Sequence, residues 1–210
     1  MTTVLIDYDS GNLHSAQKAF ELMAREVDAA QVVVTSDPDV VARADRIVLP
    51  GDGAFPHCRG ELFGRRALAQ AMVEAVEVRG VPFMGICVGM QLMATTGHEY
   101  EETSGLDWIS GDVRRINAPG LPVPHMGWND LIIDLPHPVL EGVETGAHAY
   151  FVHSYAMRVQ SPSDRVAHVD YGGEVTAIVA RHNTIGMQFH PEKSQAAGLR
   201  MIGNFLRWTP

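Results

Sequence analysis

Three side chains have the types and settings that nucleophilic catalysis needs: Cys87, His190 and Glu192. Cys87 lies in GICVGMQ (Gly85 to Gln91), directly after VPFM, so a strand-like apolar run ends in a cysteine with a glycine two residues before it and another two after. That G-x-nucleophile-x-G pattern describes a sharp strand-to-helix turn in which small residues let the backbone pass closely and the nucleophile project. The positive end of the following helix would favour thiolate, and the Val88 N–H would point at an oxyanion formed on a substrate. A second reading of the stretch is a small buried core cysteine at a glycine-rich turn. In GMQFHPEKS (Gly186 to Ser194), His190 ends an apolar strand, Pro191 stops the ladder and Glu192 follows. The carboxylate can hold the imidazole's tautomer while the imidazole activates the thiol. The ten histidines include no HExxH or other tight ligand spacing, so a metal site is not expected.

These residues need a frame that gathers distant strand ends. In the first half, VLIDY, QVVVT, RIVLP and VPFMGI alternate with helical patterns, among them an alanine-rich stretch from Arg65 to Arg79 closed by Gly80. Successive βα units imply an α/β fold, an open and mostly parallel sheet with helices on both faces. Ligands of such sheets bind beyond the carboxyl ends of the strands, where Cys87 stands. After about Gly97 the runs DVRRI, LIIDL, YFVHSYAM, RVAHVDY, TAIVAR and TIGMQF predict a partly antiparallel, β-rich second half, followed by a helix from about Gln195 to Arg207. No linker divides the 210 residues, which read as one domain.

Composition narrows the function classes. The chain is 46% hydrophobic and 20% charged, with a net charge of -9 and no Lys/Arg cluster, which argues against a nucleic-acid surface. No apolar run approaches the roughly 20 residues that span a bilayer, and MTTVLIDYDSGN lacks a signal-peptide pattern, so a cytoplasmic protein is expected. Two cysteines without CxxC spacing fit a reducing compartment.

PGDGAF (Pro50 to Phe55), GICVGMQ and QFHPEKS, in that order, resemble the oxyanion strand, nucleophile elbow and His-Pro-Glu segment of class I glutamine amidotransferases. DYDSGN (Asp7 to Asn12), PHMGWN (Pro124 to Asn129) and YFVHSY (Tyr150 to Tyr155) extend the resemblance over nearly the whole chain, to the glutaminase subunits of imidazole glycerol phosphate synthases. The resemblance implies a Cys87-His190-Glu192 triad without a cofactor, and an oxyanion hole from the backbone of Gly51, Asp52, Gly53 and Val88. It implies that Gln91, Glu99, His153, Ser154 and Tyr155 hold glutamine. It further implies that ammonia passes to a (β/α)8-barrel cyclase partner, with Asn12, His125, Trp128, Asn129 and Lys193 at the interface or ammonia exit. Products there would be imidazole glycerol phosphate and aminoimidazole carboxamide ribotide, in histidine biosynthesis. Two alternatives stay open at this point: a glutaminase or cysteine hydrolase of the same fold serving another pathway, and a non-catalytic scaffold for a cyclase. The chain departs from the family pattern at Asp9 and Asp52, where the family usually has glycine and valine.

Overall fold

The computed structural model describes residues 1–10, 13–27 and 31–210. In chain order the strands are β1 (Thr2–Ile6), β2 (Gln31–Thr35), β3 (Arg46–Gly51), β4 (Phe83–Cys87), β5 (Ala94–Gly97), β6 (Thr103–Ser104), β7 (Ile109–Arg115), β8 (His125–Asp130), β9 (Ile132–Ile133), β10 (His148–His153), β11 (Tyr155–Val159), β12 (Arg165–Asp170), β13 (Glu174–Arg181) and β14 (Thr184–Met187). The helices are α1 (Leu13–Glu26), α2 (Pro38–Ala42), α3 (Phe55–Gly64), α4 (Arg66–Glu77), α5 (Val88–Gln91) and α6 (Gln195–Arg207).

The main sheet has the order β2-β1-β3-β4-β14-β13-β12-β9. It is parallel from β2 through β14 and antiparallel beyond. Central strands covered on both faces must be apolar throughout, and Ile47, Val48, Leu49, Phe83 and Met84 are fully buried. Helix α1 packs on α6, with Phe20 edge-on to Phe205, and α2 packs on α4. Right-handed crossovers place the two pairs on opposite faces. One continuous apolar cluster draws on residues from Val4 to Trp208. A four-stranded sheet, β11-β7-β5-β6, and the pair β10-β8 stand beside the main sheet. Among the described residues no helix is long and apolar enough to cross a membrane.

The structure departs from the sequence expectation at three places, two of them in the β-rich half. LIIDL contributes only the short β9, because Asp134 turns to pair with Arg165 and His168. YFVHSYAM is two strands in different sheets, broken at Ser154, so β10 joins β8 and β11 joins β7. The helix after Cys87 is the single turn α5. Leu92, Met93 and Ala94 are buried on every side, so the chain enters β5 instead of forming an amphipathic helix.

Candidate active site

Cys87 ends β4 directly opposite Gly51, the last residue of β3, so nucleophile and oxyanion strand meet through sheet register. Its backbone is at φ 55° and ψ -112°, a conformation costing about 1–3 kcal/mol for a non-glycine residue that the surrounding packing must offset. The flanking glycines make it possible. A Cβ on Gly89 would lie 1.8 Å from the Leu49 carbonyl oxygen, and one on Gly85 would lie 2.5 Å from that of Gly89. Gly89→Ala is therefore expected to cost about 3 kcal/mol or more, the upper range for overpacking. Urea unfolding checks this, and a loss below about 1 kcal/mol would mean that β3 and the elbow separate easily. With α5 only four residues long, the helix dipole contributes little at Cys87, since nearly every peptide of such a turn is a terminal one. The Val88 N–H itself, at the start of α5, is the local donor.

His190 and Glu192 stand where β14 gives way to a 3-10 turn, Pro191–Lys193. His190 Nδ1 is 2.9 Å from Glu192 Oε1, with the two side chains only 7% and 3% exposed. Burial alone would pull the imidazole's pKa down. Hydrogen bonds and charge from Cys87 and Glu192 outweigh it and raise the value to about 10. At neutral pH the imidazole therefore holds its proton between sulfur and carboxylate. The turn is fastened to β10: His190 N–H donates to the Tyr150 carbonyl at 3.1 Å, and Ser194 Oγ donates to the His190 carbonyl at 2.7 Å while accepting from Tyr150 N–H at 3.0 Å. Sequence reasoning missed Ser194, although it belongs to the HPEKS stretch.

The second cysteine behaves differently. Cys58 is fully buried, burial pushes its thiol pKa up, and its sulfur lies 2.9 Å from Ser10 Oγ and 3.6 Å from the Asp52 carbonyl. Ser10 Oγ also donates to that carbonyl, at 2.8 Å. The planar trans peptide then aims the Gly53 N–H the opposite way.

A cavity of about 220 Å³ opens over Cys87, smaller than a drug-sized pocket of roughly 300–1,000 Å³. Asp52, Gly53, Cys87, Val88, Gln91, Glu99, His153, Ser154 and Tyr155 all line it, with Pro124 and Val152. The structure thus brings the sequence-derived substrate residues to the nucleophile but reassigns several of their groups. Glu99 Oε2 accepts from Phe55 N–H at 2.8 Å, capping α3, which leaves Oε1 for a ligand. Gln91, only 3% exposed, commits its Nε2 to the Tyr155 carbonyl and to Gln188 Oε1, both at 3.0 Å, so it can meet a ligand only through its carbonyl oxygen. The His153 side chain is turned inward, with Nε2 3.0 Å from His125 Nδ1, so its backbone rather than its ring serves the cavity.

The PHMGWN stretch forms β8, whose side chains alternate. Met126 and Trp128 face outward at 62% and 48% exposure, while His125 is buried between the Phe151 and Tyr171 rings. Asn129 bonds inward to His125 and to the Asp170 carbonyl. His125 and Asn129, expected at the interface or ammonia exit, bond on the inner side of β8 and support the strand from behind. Met126 lies on the outer face, beside Trp128 and the Tyr150 ring that Trp128 meets edge-on. Lys193 is exposed on the catalytic turn. Asn12 lies outside the described residues. Asp9 adopts φ 63° and pairs with Arg65, which accounts for a carboxylate at that turn. Asp52 is exposed at the cavity edge. Among the described residues no three His, Cys, Asp or Glu side chains converge as a metal site requires.

The family model described as glutamine amidotransferase class-I matches residues 4–208. The chain is 68% identical to the imidazole glycerol phosphate synthase subunit HisH of Ruegeria pomeroyi and 62% identical to that of Cereibacter sphaeroides, with each pair aligned over its full length. A crystal structure described as a glutamine amidotransferase shares the fold with a TM-score of 0.73 at 19% identity, over 98% of this chain and 99% of that one. The chain therefore belongs to the class I glutamine amidotransferases and, within them, to the HisH subunits of imidazole glycerol phosphate synthase.

Proposed function

We propose that the chain hydrolyses glutamine through a Cys87 thioester and passes the ammonia to a (β/α)8-barrel cyclase subunit in the cytoplasm, where imidazole glycerol phosphate is formed for histidine biosynthesis. The observation that carries this reading is the geometry at Cys87, which lines an amino-acid-sized cavity and is hydrogen-bonded to a His190 whose Nδ1 lies 2.9 Å from Glu192 Oε1. Cys87 attacks as thiolate at the side-chain carbonyl carbon of glutamine. The Val88 N–H and the backbone of Gly51 to Gly53 receive the oxyanion, each donor contributing on the order of 3 kcal/mol. His190 gives its proton to the leaving nitrogen, ammonia departs, and the C–S bond remains as a thioester. The neutral imidazole then removes a proton from water as its oxygen attacks the thioester. Collapse breaks the C–S bond, releases glutamate and returns the proton to the sulfur–imidazole pair. Glu99 Oε1 and Gln91 Oε1 are acceptors, suited to the substrate's α-ammonium.

Asp52 puts a carboxylate where it could oppose an oxyanion. Its carbonyl is tied behind by Ser10 and Cys58, which supports a backbone role alone. Asp52→Asn is expected to leave turnover within a few-fold; a loss of about a hundredfold, the scale of one oxyanion donor, would assign the carboxylate a part of its own.

Met126, Trp128 and Tyr150 form an apolar outer face on the β8–β10 pair, next to Val152 at the cavity rim. A half-exposed tryptophan at such a place is the kind of anchor that dominates interfaces. Trp128→Ala is expected to weaken cyclase binding by at least about 2 kcal/mol, or about thirtyfold in Kd, measured by titration calorimetry. Binding unchanged within a factor of two would move the interface elsewhere. The reading as a whole is tested by glutamate release with and without the cyclase and its nucleotide ligand. Weak activity alone with strong stimulation in the liganded complex supports it, and equal turnover in the two states contradicts it.

A further inference from the structure

Gln188 took no part in the sequence-derived site, yet it is fully buried and its Nε2 lies 3.8 Å from Cys87 Sγ, within the longer reach of sulfur acceptors. Its Oε1 accepts from Gln91 Nε2. We propose that Gln188 is a further catalytic residue, whose amide N–H holds the Cys87 sulfur for attack in an orientation that a buried hydrogen-bond chain through Gln91 imposes. The inference deepens the glutaminase reading and rests on it.

The direction of the chain follows from one atom that can only accept. The Tyr155 carbonyl receives Gln91 Nε2 at 3.0 Å and His153 Nδ1 at 2.9 Å. Gln91 must therefore present its NH2 group to this carbonyl and, with its second N–H, to Gln188, whose oxygen faces Gln91 and whose nitrogen faces the sulfur. A flipped Gln188 would set NH2 against the NH2 of Gln91. The same logic fixes both histidines. His153 donates from Nδ1, so its Nε2 accepts from His125 Nδ1, and His125 Nε2 accepts from Asn129. Burial lowers the pKa of each ring to about 4, so both stay neutral at pH 7 and the polarity of the chain holds. Every link is donor to acceptor, as a buried polar network requires.

The inference separates two roles for Gln91. If Gln91 only holds the amino-acid end of glutamine, changing it leaves untouched a reagent that has no such end. If it orients Gln188, the thiol itself responds. The test is the rate at which iodoacetamide alkylates Cys87 at pH 7, read by peptide mapping so that Cys58 is counted apart, in the wild-type chain, Gln91→Glu, Gln188→Glu and Gln188→Met. Gln91→Glu replaces the donor with an acceptor, which turns the Gln188 amide so that its oxygen faces the sulfur; Gln188→Glu places an oxygen there directly. Both are expected to slow alkylation about tenfold or more, the scale of a hydrogen bond to a charged group, with melting temperatures lowered by the buried carboxylate. Gln188→Met keeps the length, deletes the donor, and decides the matter if either charged variant does not fold; it too is expected to slow alkylation about tenfold. Turnover should fall in kcat more than KM changes for the Gln188 variants. Wild-type alkylation in folded Gln91→Glu and folded Gln188→Met would overturn the proposal. Alkylation needs neither glutamine nor a partner, so a wild-type chain that alkylates but does not hydrolyse glutamine even in the complex with the cyclase and its nucleotide ligand would end the glutaminase reading on separate grounds.

Discussion

Cys87→Ala is expected to reduce glutamine hydrolysis by at least about 10⁴-fold, because loss of a covalent nucleophile removes the whole two-step route and not one contribution to it. The variant should fold, since Cys87 is a small side chain that a methyl group replaces with little change in packing. Its complex with the cyclase should still use free ammonia at the wild-type rate. Parallel assays with glutamine and with ammonium salt as nitrogen source check both halves. Loss of the ammonia-dependent reaction as well would assign Cys87 to folding or docking. Cys58→Ala provides the contrast. It deletes a buried thiol with a raised pKa and should leave most of the turnover, because Ser10 still holds the Asp52 carbonyl.

Glu192→Gln should lower kcat by about 10²–10⁴-fold near neutral pH, the range for disabling general acid–base catalysis. It should also change the shape of the pH profile. The His190 pKa is raised to about 10, so the protonated form needed by the leaving nitrogen is present through neutral pH and is lost as pH rises through that value. Removing the carboxylate takes away one of the interactions opposing burial. The imidazole then gives up its proton at lower pH, and the alkaline limb of kcat should move toward neutrality. Stopped-flow acylation rates between pH 6 and 10 check this. An unmoved alkaline limb with a uniformly lower rate would mean that Glu192 orients the ring without charging it.

The alternating strand and helix signals of the first half were legible because a parallel sheet covered on both faces demands continuous apolar runs, such as RIVLP and VPFMGI. The elbow was legible for a steric reason: Gly85 and Gly89 occupy places where a Cβ would meet backbone oxygen. Residues whose roles depend on strand pairing were less legible. YFVHSYAM shows no break at Ser154, since the switch between sheets is set by the partners of β10 and β11. His125 and Asn129 read as polar surface groups, but the pleat of β8 turns them inward and Met126 outward. Gln188 sat inside a quoted motif and passed as one residue of an apolar strand. Only the fold shows that its amide ends at Cys87 while Gln91 holds its other end.

The most direct test of the account is acid quenching of the complex during glutamine turnover, followed by peptide mass spectrometry for a covalent glutamyl adduct. The account predicts a glutamyl thioester on the peptide containing Cys87, with none on that containing Cys58, and greater occupancy in Glu192→Gln if hydrolysis of the thioester slows more than its formation. An adduct on Cys58, or steady glutamate release with no adduct on Cys87 under conditions where deacylation limits the rate, would contradict it.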